Sequence, residues 1–346
     1  MSKRRCTKCG SVFEGEARFC PKDGTPLVEV AIAGESGTTI RKAVKPQGHE
    51  RQTLTSQVVD GRYEVRRRLG EGGMSLVYEA RDATNGDVIA IKILSPKLSK
   101  DKSSVERLRR EAGLAMRLDH PHVCKILRLG ETEDNLIYLV MPYLKGELLS
   151  DREVKIGPMS AEPGAEWLVQ MCAGLHHAHQ LNIVHRDLKP ENVMIVPGPD
   201  GRDIAVVMDF GLAKENRADP GQAKLTATGI ILGTPEFMSP EQIRGKTLDA
   251  RSDVYALGIV AYEMFTGKLP FQGRTAQETM IARLRGKPTP LRSVRPDFPE
   301  PMERVLMQSL ESDPGDRYPN TNAFAKAVVD AMPKGSARDR SVQLLA

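Results

Sequence analysis

Residues able to support one kind of chemistry are concentrated in two short segments of this 346-residue chain. The first segment contains Asp187, Lys189 and Asn192, and the second begins with Asp209 and Phe210. Phosphoryl transfer from ATP needs one carboxylate facing the attacking hydroxyl, and a second carboxylate with an amide to hold magnesium. Asp187 suits the first role, while Asp209 and Asn192 suit the second. The two segments therefore predict phosphoryl-transfer chemistry.

A glycine-rich turn lies between two apolar stretches upstream of these segments. Its glycines are Gly70, Gly72 and Gly73. Residues without a Cβ let backbone amides close over phosphate oxygens, and the following Val77 can cover a flat base. Taken alone, this loose pattern fits a plain hairpin turn better. It is followed, however, by a run of β-forming residues from Val88 through Ala90 that ends in Lys92.

The next segment is predicted to be a helix. Between Ser104 and Leu118 the apolar residues recur every three or four positions and form one stripe. Glu111 lies on the flank of that stripe, where a carboxylate is either a surface charge or turns inward. The order of the motifs favours the second interpretation, with Lys92 as the partner of Glu111.

These segments, in this order, resemble the eukaryotic-like Ser/Thr protein kinases of bacteria. The resemblance extends from about Asp60 to Met332, and it departs from the family pattern at Ser75, where a third glycine is expected. Further landmarks are the segment 239–241, of sequence Ser-Pro-Glu, and Arg317, the usual distant partner of its glutamate. The resemblance implies an α+β, bilobal fold with a small β-rich lobe that holds one helix and a larger, mainly helical lobe.

The resemblance also implies a role for each site residue. Lys92, positioned by Glu111, would hold the α- and β-phosphates; Asp187 would accept the proton of the substrate hydroxyl; Lys189 would meet the γ-phosphate. Magnesium, with manganese as the alternative cation, would be held by Asn192 and Asp209. The residues implied to bind ATP are Gly70, Gly72, Gly73, Val77, Ala90, Lys92, Met141, Leu144, Asn192 and Asp209.

Regulation is predicted in the segment 209–241. Arg186 directly precedes Asp187, an arrangement that in related kinases requires a phosphate on this segment to neutralise the arginine. Thr226 and Thr228 are placed like the paired autophosphorylated threonines of bacterial kinases, although they also fit ordinary loop residues. Thr234 fits the serine/threonine branch of the family.

A small metal-binding module is predicted at the N-terminus. It looks like a zinc ribbon in which Asp23 stands in place of a fourth cysteine, with His49 as a more remote candidate ligand. The candidate ligands are Cys6, Cys9, Cys20 and Asp23. A segment this short needs a metal to form a core, so the role of zinc would be structural. The alternative is a metal-free arm.

One long helix is predicted to form the centre of the larger lobe. The segment from Asp253 to Phe265 is apolar around most of its circumference, with Ser252 as the expected cap and Gly267 as the stop.

The predicted organisation is a zinc-ribbon-like module 1–30, a linker 31–59, a kinase domain 60–333 with lobes 60–143 and 144–333, and a polar tail 334–346.

Composition restricts the class of protein. The net charge of +5 is modest and the basic residues are scattered, so we expect protein substrates with Ser/Thr and no nucleic acid. The sequence has no run of about 18 apolar residues, so we expect no membrane span. No secretory leader is evident either, and we therefore expect a cytoplasmic enzyme. A homodimer for autophosphorylation follows from the resemblance only. The alternative functions are a pseudokinase scaffold and a zinc-ribbon binding module; retention of Lys92, Asp187 and Asp209 argues against the first.

Overall fold

The structure is a computed structural model that describes residues 3–6, 12–14, 27–29, 57–72, 75–95, 102–132, 134–210, 235–273 and 275–346. The chain divides into two units, Met1–Gln52 and Thr53–Ala346. In the first unit, strands β1 (Lys3–Cys6), β2 (Val12–Glu14) and β3 (Leu27–Glu29) form an antiparallel sheet of order β2-β1-β3. Cys6 ends β1, whereas Cys9, Cys20, Asp23 and His49 lie outside the described residues.

The second unit begins with a six-stranded antiparallel sheet. Its strands are β4 (Val58–Val59), β5 (Tyr63–Gly72), β6 (Ser75–Asp82), β7 (Val88–Leu94), β8 (Arg128–Glu131) and β9 (Ile137–Pro142), in the order β4-β5-β6-β7-β9-β8. Alternate side chains of the central strands, such as Tyr78 and Ile91, are fully buried in one apolar cluster. This alternation is what a half-buried strand requires, since successive side chains point to opposite faces. Val58 and Val59, which lie in the segment predicted as linker, form the edge strand.

One helix packs on this sheet. Helix α1 (Lys102–Ala115) agrees with the predicted helix to within three residues at each end. Its Leu108 packs with Leu94 of β7 and Ile137 of β9 in a small buried cluster. The small lobe therefore has the predicted composition of one sheet and one helix.

The larger lobe is mainly helical. Its helices are α2 (Leu149–Ile156), α3 (Ala161–Gln180), α4 (Pro240–Ile243), α5 (Ala250–Thr266), α6 (Ala276–Arg285), α7 (Leu291–Val294), α8 (Glu300–Ser309), α9 (Thr321–Ala331) and α10 (Ser336–Leu345). A small sheet of order β10-β11-β12 is formed by Glu147–Leu148, Val193–Pro197 and Asp203–Val207. Short 3-10 turns occur at Pro190–Asn192, Pro235–Phe237 and Pro314–Asp316.

Helix α5 forms the centre of the large lobe, as its composition predicts. Most of its side chains are buried, including Leu257, Ile259 and Phe265. Gly267 ends the helix in the left-handed conformation, with φ of 67°, which a glycine adopts without steric cost. The predicted cap was wrong: Asp249 caps the helix by accepting from Arg251 N, and Ser252 lies inside it. The Ser252 hydroxyl instead donates to Glu241 Oε1 at 2.7 Å.

The last residues of the chain form helix α10 where the sequence predicts a polar tail. Ala337 and Ser341 are buried, and Arg340 makes a two-bond ion pair with Glu166 of α3 at 2.6 and 2.7 Å. Leu344 and Leu345 pack against the large core, so this helix has an apolar side that stabilises it against the rest of the lobe. Within the described residues, no helix has both the length and the apolar character needed to cross a membrane.

Candidate active site

Several of the residues predicted to bind the nucleotide lie together on the small-lobe sheet. Strand register places Val77 opposite both Gly70 and Lys92, and places Ala90 opposite Met141. Opposed residues in a sheet, and residues two apart on one strand, share a face. Val77, Ala90, Lys92 and Met141 are therefore on one face. Among the described residues, a Cβ added to Gly70 would meet no atom within 4 Å other than those of its chain neighbours, which leaves room for a ligand there.

Lys92 and Asp209 form an ion pair between the two lobes. Lys92 Nζ lies 2.7 Å from Asp209 Oδ1, and both side chains are largely shielded from solvent. Burial acts to raise the pKa of Asp209, but the neighbouring Lys92, His185 and Lys189 outweigh it and hold that pKa below its ordinary value. Asp209 is therefore ionised at neutral pH. Its backbone φ of 58° is left-handed, a conformation that Asp tolerates better than most residues.

Glu111 lies on α1 in a half-buried position between Leu108 and Ala112, which are both buried. This position is on the side of α1 that packs against the sheet. Lys92 forms its ion pair with Asp209 in this structure. The Lys92–Glu111 pair therefore stays a prediction.

Asn192 connects the two acidic residues of the predicted catalytic site. Its Nδ2 donates to Asp187 O at 2.7 Å and lies 3.5 Å from Asp187 Oδ2. Its backbone oxygen accepts from Met208 N at 2.8 Å, directly before Asp209. Its backbone N–H donates to Lys189 O at 2.9 Å and closes the turn. The spacing of Asp187, Lys189 and Asn192 is thus produced by one tight, hydrogen-bonded turn.

Two residues for which no role is predicted from the sequence hold this loop. Asp253 of α5 accepts from His185 N at 2.8 Å and from Arg186 N at 3.1 Å, and its Oδ2 lies 2.7 Å from His179 Nε2. Burial opposes ionisation of Asp253, but the His179 hydrogen bond and the other neighbours hold its pKa below the ordinary value. The signal in the sequence was a carboxylate inside an otherwise apolar helix.

His185 is the second of these residues. Its Nε2 lies 2.8 Å from Met208 O, and Asp187 N donates to its Nδ1 at 3.3 Å. A neutral ring with the proton on Nε2 satisfies both contacts. The ring also packs on Phe210, with 4.8 Å between centroids. His185 thereby connects the loop of Asp187 to the segment of Asp209.

The predicted pair of Glu241 and Arg317 is present. Each guanidinium Nη lies 2.8 Å from one carboxylate oxygen of Glu241, and both side chains are buried. Arg317 also donates to the backbone oxygens of Glu311, Ser312 and Arg251. Because every polar group of this pair is hydrogen-bonded, it can anchor the segment at Glu241 to the large lobe.

Two half-buried glutamates near the loop favour their neutral form. Burial, together with Glu191 and Glu236, raises the pKa of Glu263 to about 7. Burial, together with Glu263 and Glu191, raises the pKa of Glu153 to about 8. Burial and neighbouring negative charge both disfavour the ionised form, so these glutamates lose their protons at a higher pH than usual.

Several predicted site residues cannot be placed. Gly73, Thr226, Thr228, Thr234, Cys9, Cys20 and Asp23 lie outside the described residues. Of Gly72 only the backbone, in β5, is described. Leu144 lies two residues after Pro142, the last residue of β9, and next to Tyr143, whose hydroxyl accepts from Arg67 at 3.1 Å.

The donor groups present suit magnesium. Asp209 supplies an ionised carboxylate and Asn192 an amide, and hard cations such as Mg²⁺ prefer oxygen ligands of these kinds. Mg²⁺ commonly uses only one or two protein ligands and completes its shell with water and substrate phosphates. In the part of the chain that is described, no group of three or more His, Cys, Asp or Glu residues is arranged to hold a metal ion.

Comparison with known proteins identifies the family of this arrangement. The family model described as the protein kinase domain matches residues 63–329. The chain is 38% identical over 280 residues to the serine/threonine-protein kinase pkn3 of Myxococcus xanthus, covering 80% of this chain and 51% of that protein. It is 36% identical over 265 residues to PrkC of Bacillus subtilis, covering 77% of this chain and 40% of that protein. The chain thus spans about half or less of the length of these relatives.

Solved structures give the same result. The kinase domain of Mycobacterium tuberculosis PknI superposes with a TM-score of 0.65 at 25% sequence identity. The match covers 81% of this chain and all of that domain. The bilobal arrangement predicted from the sequence is therefore confirmed.

Proposed function

Because the chain belongs to the protein kinase family, we propose that it is a serine/threonine protein kinase that transfers the γ-phosphate of ATP to protein hydroxyls. The observation that carries this proposal is the convergence of Asp187, Asn192 and Asp209 through the contacts of Asn192, with Lys92 on Asp209. Pseudokinases usually lack one or more of these four residues.

Each of these residues has a distinct task in the proposed reaction. Lys92 binds the α- and β-phosphates, exchanging its contact with Asp209 for phosphate oxygens, while Glu111 steadies its ammonium group. Lys189 meets the γ-phosphate. Magnesium, held by Asn192 and Asp209, would offset negative charge on the β- and γ-oxygens when bound. Asp187 orients the substrate hydroxyl and accepts its proton at Oδ1 or Oδ2.

The adenine of ATP is assigned to the sheet face that carries Val77, Ala90 and Met141. Met141 and Pro142 end β9, and Leu144 follows them as the next backbone contact. Pro142 has no amide hydrogen, so the first contact at this position uses a carbonyl oxygen. Gly70, Gly72 and Gly73 are assigned to the phosphate cover.

Phosphotransfer with labelled ATP and magnesium tests this proposal. We expect label on the kinase and on a general protein substrate, and we expect it on serine and threonine but not tyrosine after acid hydrolysis. A pseudokinase would bind ATP without transferring phosphate. Nucleotide binding without any labelled serine or threonine would contradict the proposal.

We assign activation to autophosphorylation of Thr226 and Thr228, in a homodimer. The proposal rests on their position in the activation segment and on the adjacency of Arg186 and Asp187. Replacing both threonines with alanine should reduce kcat strongly, whereas Thr247→Ala, an exposed threonine outside that segment, should not. Full activity of the double variant would exclude this mode of control.

We assign a structural zinc ion to Cys6, Cys9, Cys20 and Asp23, and a cytoplasmic location to the enzyme. Thiolates and a carboxylate form an acceptable zinc ligand set. Metal analysis of the full chain should give one zinc per molecule, and Cys9→Ser with Cys20→Ser should remove it. Equal zinc content in the double variant would contradict the assignment.

A further inference from the structure

The amide side chain of Gln242 connects helix α4, at the end of the predicted regulatory segment 209–241, to the catalytic loop, residues 185–192, which carries Asp187. Gln242 lies in α4 and is half-buried. Its Nε2 donates to Arg186 O at 2.7 Å, and its Oε1 accepts from Ser239 N at 2.9 Å. In return, Gln242 N donates to Ser239 Oγ at 3.3 Å, which completes a capping box. One side chain therefore serves both as part of a helix cap and as a donor to a distant loop.

The acceptor of this hydrogen bond lies at a strained position. Arg186 has a φ of 65°, a left-handed conformation that is unfavourable for a non-glycine residue. Such a conformation persists only where neighbouring groups hold it. Asp253 holds the N–H of Arg186 at 3.1 Å, and Gln242 holds its carbonyl oxygen.

That carbonyl belongs to the peptide group that joins Arg186 to Asp187. The same peptide group includes Asp187 N, which donates to His185 Nδ1 at 3.3 Å. Both polar atoms of the peptide plane are thus fixed, and a rotation of this plane would turn the side chain of Asp187. The direction of the Asp187 carboxylate therefore depends on these two hydrogen bonds as well as on the contacts of Asn192 with Asp187.

Helix α4, which carries the donor Gln242, is itself held by hydrogen bonds. Glu241, the residue before Gln242, is held by Arg317 with two contacts of 2.8 Å and by the Ser252 hydroxyl at 2.7 Å. Helix α4 is therefore anchored to the core of the large lobe at the neighbouring residue. A hydrogen bond from a fixed donor can keep the acceptor peptide in one orientation.

We propose that Gln242 is a positioning residue for phosphotransfer, which orients Asp187 by its hydrogen bond to Arg186 O. The proposal rests on the function proposed above, in which Asp187 receives the substrate proton. Gln242 acts on the step at the hydroxyl and not on nucleotide binding, because among the described residues its side-chain hydrogen bonds are with Arg186 O and Ser239 N. Its loss should lower kcat and leave KM for ATP unchanged.

Two opposite substitutions separate the donor from the cap. Gln242→Glu keeps an oxygen for Ser239 N but cannot donate to Arg186 O when ionised. Gln242→Lys keeps a donor for Arg186 O but has no acceptor for Ser239 N. Since a hydrogen bond of this type contributes about 0.5–1.5 kcal/mol, we expect kcat of Gln242→Glu to fall about 3- to 10-fold with an unchanged KM for ATP.

Gln242→Lys should show the reverse pattern, with kcat within about twofold of wild type and a lower Tm, because Ser239 N loses the acceptor that completes the capping box. Equal losses of kcat in the two variants would overturn the proposal, since the cap alone would then explain them. A wild-type kcat in Gln242→Glu would overturn it as well. A wild-type protein that transfers no phosphate would instead contradict the proposed function, and the wild-type reaction run beside each variant distinguishes that case.

Discussion

Replacing Asp253 with asparagine tests whether helix α5 holds the catalytic loop. The carboxylate now accepts two backbone N–H groups, from His185 at 2.8 Å and Arg186 at 3.1 Å, and its Oδ2 also contacts His179 at 2.7 Å. Asparagine has one acceptor oxygen in place of two. Whichever way the amide turns, its NH₂ group faces an N–H that it cannot satisfy.

The magnitude follows from these contacts. A hydrogen bond to a charged group contributes about 1.5–3 kcal/mol, and a buried N–H left without an acceptor costs about 1–3 kcal/mol. We expect the free energy of unfolding to fall by about 3 kcal/mol. If half or more of this free energy normally serves to keep Asp187 in its catalytic orientation, the activation free energy rises by the same amount and kcat falls about 10- to 100-fold.

Steady-state kinetics and chemical denaturation of Asp253→Asn measure both quantities. Asp249→Asn is a matched control, because it makes the same chemical change on the same helix at an exposed cap. Asparagine caps a helix about as well as aspartate, so this control should lose less than about 1 kcal/mol and little kcat. If Asp253→Asn kept a kcat within twofold of wild type, the support of the loop by Asp253 would be refuted.

Three further substitutions probe the core, a protonation equilibrium and the last helix. Glu241→Gln leaves the buried Arg317 without its carboxylate, and denaturation should show a loss of about 3–5 kcal/mol; a loss under 1 kcal/mol would contradict the anchoring role. The pKa of Glu263 is raised to about 7 from an unfolded value near 4.5, so its contribution to stability is complete below pH 4.5 and is lost as the pH rises through 7. Glu263→Gln should therefore be more stable than wild type at pH 8, by about 1–2 kcal/mol after allowance for solvent screening, and equal to it at pH 4.5; an equal difference at both pH values would exclude this titration. Arg340→Gln removes the partly exposed ion pair with Glu166, and thermal denaturation should show a loss of about 1 kcal/mol in the free energy of unfolding, with kcat unchanged. A fall in kcat would contradict a purely structural role of α10.

The sequence was most informative where chemistry depends on residues close together along the chain. Asp187, Lys189 and Asn192 lie in one tight turn, so their spacing alone reflects the geometry of the loop. The run of β-forming residues that ends in Lys92 likewise coincides with strand β7. Local patterns of this kind need no knowledge of the rest of the fold.

Contacts between distant residues could not be derived in the same way. Asp253 supports a loop 67 residues away, and nothing in the local pattern of α5 names its partners. The cap of α5 was misassigned for a related reason, because the Ser252 hydroxyl is used by the distant Glu241 and not by its own helix. Helix α10 was missed because its stability comes from packing on the core and from the Arg340–Glu166 pair.

A double-mutant cycle between Asp187 and Asp209 tests the central claim most directly, namely that these residues act as one catalytic unit. The rate of phosphotransfer is measured for Asp187→Asn, Asp209→Asn and the variant with both changes. Residues that act together in catalysis have strongly non-additive effects, so we predict that each single change lowers kcat about 10³-fold or more and that the second change adds little. Losses that multiply, or a single variant with a near wild-type kcat, would contradict the claim.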